Sequence, residues 1–114
     1  MTVTERRNGP VVIVDVSGKM VAADTLGRLK DKVTSLIFQG EKQIVINLGN
    51  VSYVDSSGLG EIVACHGSAI RAGAEIKLAN AGGKIRDLLV MTRLLTIFDT
   101  HDSEDAAVAS FATK

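Results

Sequence analysis

Gln43-Ile44-Val45-Ile46-Asn47-Leu48 and Val51-Ser52-Tyr53-Val54-Asp55-Ser56-Ser57-Gly58-Leu59-Gly60 lie almost end to end, yet they differ in character. The first is a run of β-branched and aliphatic residues, the composition of a buried strand. After a polar break, apolar residues return at helical spacing, at Leu59, Ile62, Val63, His66 and Ile70. A strand that feeds directly into an amphipathic helix is one βα step, and the flanking sequence repeats the pattern.

Upstream, Val11-Val12-Ile13-Val14-Asp15-Val16 predicts another buried strand, stopping at Ser17-Gly18. Thr2 to Arg7 predicts a weaker edge strand joined to it through the hairpin signal Asn8-Gly9. Between the buried strands, Leu26, Leu29, Val33, Leu36 and Ile37 recur with a helical period for about four turns, with Asp24 as the expected N-cap and Gly40 as the terminator. Downstream, Glu75-Ile76-Lys77-Leu78-Ala79 reads as a short strand. Ile85, Leu88 and Leu89 read as a helix after Ala81-Gly82-Gly83, and Thr96-Ile97-Phe98 as a brief strand. A final helix from about Ser103 carries Ala107 and Phe111 inward. Two strands, three αβ steps and a closing helix predict an α/β fold with a mixed sheet of about five strands and about four helices. A single domain over residues 1–114 is expected, since no repeat, low-complexity run or linker interrupts the chain.

Composition narrows the function classes. The chain of 114 residues balances 13 Lys and Arg against 13 Asp and Glu, so no global field holds a polyanion and nucleic acid is not an expected partner. Aromatic residues make up 4% and Trp is absent, which leaves little for base stacking. No apolar run approaches the ~18 residues needed to cross a membrane, and the start carries no secretory signal. With one cysteine, Cys65, no internal disulfide can form, and a reduced cytoplasmic setting is expected.

Chemistry concentrates between the central strand and its helix. Asp55, Ser56 and Ser57 are candidate caps, placing hydroxyls where a helix leaves its first N–H groups unpaired and its dipole positive. Such a position suits a bound or attached phosphate. Gly58 and Gly60 are poor helix formers in a first turn, and the absence of Cβ atoms lets another backbone approach. Read without further context, Asp-Ser-Ser is also an ordinary helix start.

The run Val51-Ser52-Tyr53-Val54-Asp55-Ser56-Ser57-Gly58-Leu59-Gly60, preceded by the strand Ile44-Val45-Ile46-Asn47-Leu48, resembles the signature of the STAS-domain anti-sigma factor antagonists, over roughly residues 10 to 112. That resemblance implies a regulatory binding protein rather than an enzyme, with no cofactor or metal. It implies phosphorylation of the serine directly after the aspartate, here Ser56, by an anti-sigma factor that is itself a serine kinase, with adjacent Ser57 as the competing hydroxyl. The unphosphorylated form would bind the kinase and free the sigma factor. A metal-dependent serine phosphatase would reset the switch. A phosphate brings about −1.5 to −2 charge to a surface that must be desolvated, so loss of the complex is the expected result. The partner surface is expected at Asp55, Ser56, Ser57, Gly58, Glu61, Ala64, Cys65 and Ser68, on the assumption that Leu59 and Val63 face the core.

The sequence departs from the family at two places. Where the family has a Gly-Glu-aliphatic-Asp turn beside the serine, this chain has Gly18-Lys19-Met20-Val21, losing two carboxylates and gaining a cation; Lys19 and Val21 are therefore expected to set partner specificity. Thr92-Arg93-Leu94 stands where the family has a glycine before the leucine. The missing acidic turn motivates an alternative, a STAS scaffold or ligand-sensing module that is never phosphorylated. A hydrolase built on Ser56 finds little support, because the Gly-x-Ser-x-Gly elbow is not met. His66 and Cys65 read as packed residues, and Asn80-Ala81-Gly82-Gly83-Lys84 as a strand-to-helix turn without Walker spacing. Gly60, Ala64 and Gly67 form a stripe of small residues, suited either to docking or to seating a neighbouring helix.

Overall fold

Antiparallel pairing across the Asn8-Gly9 turn joins β1 (Thr2–Asn8) to β2 (Val11–Met20), and Gly9 supplies the positive φ, +63°, that the tight turn demands. The structure is a computed structural model that describes residues 1–21, 27–94 and 96–112. From β2 the chain runs through α1 (Arg28–Phe38) to β3 (Gln43–Val54), through α2 (Ser56–Arg71) to β4 (Glu75–Ala79), and through α3 (Gly83–Met91) to β5 (Asp99–His101). Each of these strands is parallel to the one before it, and α4 (Glu104–Ala112) follows β5. The sheet order is β1-β2-β3-β4-β5, the mixed five-stranded α/β architecture expected from the pattern.

Alternation along the strands divides the apolar residues between two layers. Val12, Val14, Val16, Ile44, Ile46 and Leu48 face a core shared with Leu29, Val33 and Leu36 of α1, Leu59 and Ile62 of α2, and Ile85 and Leu89 of α3. Val11, Ile13, Val45 and Ala79 face the other way, onto Ala107 and Phe111 of α4. Cover on both sides explains why the central strands read as continuous apolar runs. Polar ties hold α4 in place. Arg6 pairs with Asp15 at 2.6 Å and with Glu104, and its guanidinium holds both carboxyls below their usual range. Buried Lys77 pairs with Asp99 and sets its ammonium 4.7 Å from the Phe111 ring centroid.

The structure corrects several boundaries. β2 runs past Ser17-Gly18 to Met20, and β3 past Leu48 to Val54, because the two keep pairing through register shifts, with Gly18 at φ +92°. α1 begins on Gly27, in a left-handed conformation with no side-chain cap, and spans 11 residues rather than four turns. Asp24, the expected cap, and Leu26 lie outside the described residues, while Gly40 (φ +96°) closes the helix as expected. The strand expected at Thr96-Ile97-Phe98 instead lies at Asp99–His101, where the backbone meets Lys77–Ala79. Phe98 turns into the core against His66, with ring centroids 5.0 Å apart. Arg93 occupies a left-handed position (φ +60°) after α3, a conformation that favours glycine.

Candidate partner-binding surface

Asp55 is the N-cap of α2: its backbone is extended and its side chain accepts a hydrogen bond from Gly58 N at 3.0 Å. Ser56 and Ser57 are therefore the first two helical residues. Both are exposed, and neither hydroxyl is used in the cap.

The turn is locked to the end of β2. Asp55 N donates to Met20 O at 3.1 Å, and a Cβ on Gly58 would lie 2.4 Å from that same carbonyl oxygen. Gly58 is thus the glycine that permits backbone approach, and it is buried, which removes it from the expected partner surface. No other atom lies within 4 Å of a Cβ built on Gly60, so that glycine seats nothing. The Gly18-Lys19-Met20-Val21 segment consequently lies beside the serines, with Lys19 exposed opposite Tyr53 and Val21 half-buried directly after β2.

Farther along α2 the outward face is turned from the expected one by roughly a third of a revolution. Glu61 (9% exposed) and Cys65 (0%) are buried, whereas Val63 (37%) and Ile70 are exposed. The reason is that α2 has two neighbours, the sheet beneath and α1 at its side. Glu61 faces α1 and accepts a hydrogen bond from Lys30 N at 2.9 Å, so it caps the helix that lacks a cap of its own. The Cys65 thiol behind it is pushed up to about 12, chiefly by burial and then by the Glu61 charge. Ala64 and Ser68 are half-buried on the flank, where Arg71 Nη2 donates to Ser68 Oγ at 3.2 Å.

The outward stripe starts instead at Ser56 and continues through Gly60, Val63, Gly67 and Ile70, one residue every three or four. Val63, expected to face the core, is exposed instead, and no sequence signal pointed to it. Gly60 belongs to the small-residue stripe that the sequence left open between docking and helix seating, and it faces open space. Among the described residues, no helix is long and apolar enough to cross a membrane.

Comparison with known proteins gives the family and the fold. The STAS domain family matches residues 2–107. BtrV of Bordetella bronchiseptica, named as an anti-sigma factor antagonist, is 26% identical over 75% of this chain and 74% of its own length. An anti-sigma factor antagonist from Mycobacterium paratuberculosis superposes with a TM-score of 0.84 at 21% identity, covering 96% of this chain and 92% of the other. SpoIIAA of Bacillus in its phosphorylated form superposes with a TM-score of 0.72 at 19% identity, over 96% and 99% of the two chains.

Proposed function

We propose that this chain, which belongs to the STAS domain family, is an anti-sigma factor antagonist whose binding to an anti-sigma serine kinase is switched off by phosphorylation of Ser56. The observation that carries the reading is the division of labour at the start of α2: Asp55 caps the helix, and Ser56 stands exposed with no part in the cap. Modification there leaves the fold intact while changing the surface. The kinase transfers the γ-phosphoryl group of ATP to Ser56 Oγ, the hydroxyl proton is lost and ADP departs. The product carries about −1.5 to −2 added charge next to Asp55, and desolvating that surface against a partner becomes unfavourable. A metal-dependent serine phosphatase hydrolyses the ester and restores the binding form. The partner surface comprises Asp55, Ser56 and Ser57, the outward stripe of α2 with Ala64 and Ser68 on its flank, and Lys19 and Val21.

Incubation with ATP and a kinase encoded beside this protein, followed by peptide mass spectrometry, tests the site. One phosphate on Ser56, absent from Ser56→Ala, is the expected result; phosphate on Ser57 alone overturns the assignment. Ser56→Asp folds but binds the kinase poorly. If neither serine accepts phosphate, the missing acidic turn at Lys19 to Val21 favours the unphosphorylated scaffold.

A further inference from the structure

β4 ends at Ala79, opposite Asn47, whereas β3 continues to Val54. Among the described residues, β3 has only β2 as a ladder partner along that overhang, and its other edge meets a cleft of about 180 Å³ whose lining includes Ser52, Tyr53, Gly82, Gly83 and Lys84. Tyr53 is 52% exposed, and across the ladder on its other side stands exposed Lys19. Among the described residues, neither Lys19 nor Lys84 takes part in an ion pair, and no carboxylate lines the cleft. Two ammonium groups with no ion pair among the described residues therefore flank one exposed aromatic ring, three residues before Ser56.

We propose that this cleft receives an acidic, extended segment of the protein partner. Lys19 and Lys84 supply the charge, Tyr53 the apolar contact, and the one-sided edge of β3 the backbone pairing. The inference rests on the reading of Ser56 as a partner switch and names the chemistry of the partner. It also gives the switch a physical basis: a phosphate on Ser56 repels an acidic segment lying in the adjoining cleft.

Titration of the ¹⁵N-labelled chain with an end-capped hexapeptide of alternating glutamate and leucine tests the cleft, with the lysine–leucine peptide as comparison. Amide shifts confined to Ser52, Tyr53 and Gly82 to Lys84, seen with the acidic peptide only and weakened about tenfold by Lys84→Glu, are expected. Shifts elsewhere, or an equal response to the basic peptide, overturn the proposal. In a second arm, Lys84→Glu weakens binding to the kinase by about tenfold while Lys42→Glu, at the opposite end of the sheet, leaves it unchanged. If wild type binds the kinase and Lys84→Glu binds it equally well, the cleft inference falls and the antagonist reading stands. If the acidic peptide maps to the cleft but no kinase binds or phosphorylates the chain, the antagonist reading falls and the cleft stands.

Discussion

The first turns of α1 and α2 solve the same problem in opposite ways. α2 carries its own cap, since Asp55 accepts from Gly58 N, and the two serines that follow are released from structural duty. α1 starts on a left-handed glycine with no side-chain cap, and a carboxylate from its neighbour, Glu61, accepts from Lys30 N. A self-sufficient start can display modifiable groups; a dependent start consumes a side chain that would otherwise have been surface. The two starts are also joined. The first two turns of α2 grip the end of β2 through Met20 O and the beginning of α1 through Glu61.

If this contrast is sound, substitutions one residue apart should differ sharply. Gly58→Ala forces a Cβ onto the Met20 carbonyl and should cost about 3 kcal/mol in urea unfolding, the largest effect in this region. Glu61→Ala leaves the Lys30 amide without its acceptor and should cost about 2 kcal/mol, with loss of hydrogen-exchange protection at that amide. Glu61→Gln keeps an acceptor oxygen and should recover most of the loss. Asp55→Ala should cost about 1 kcal/mol, the usual worth of a cap. Gly60→Ala meets open space and should raise stability by roughly 0.5–1 kcal/mol, opposite in sign to the change two residues earlier. Ser56→Ala should change the unfolding free energy by less than about 0.5 kcal/mol, as expected for an exposed residue outside the cap. A larger loss would mean that α2 depends on Ser56 for its start and would erase the contrast.

The strands were legible because apolar runs such as Val11 to Val16 and Gln43 to Leu48 need no knowledge of neighbours beyond the fact of burial. Their ends were not, because pairing carried β3 through Gly49 and Asn50 to Val54, and pairing partners are invisible in a single segment. The serine turn was legible as a motif. The face of α2 was not: hydrophobic periodicity locates one apolar stripe, whereas α2 packs on two surfaces, so a charged residue, Glu61, lies inside and a β-branched one, Val63, lies outside. The two glycines of the first turn did not set the phase either, because only Gly58 meets a neighbour, the Met20 carbonyl, while Gly60 meets open space, and the sequence treats them alike.

The buried sulfur of Cys65 makes the seam between α1 and α2 measurable. It is the sole cysteine in the chain, fully buried, with its thiolate disfavoured by burial and by Glu61. A thiol reagent can consume it only when that seam opens, so the labelling rate works as an internal clock for local opening. Read with and without the proposed partner bound, that clock reports whether engaging the serine turn tightens the helices behind it.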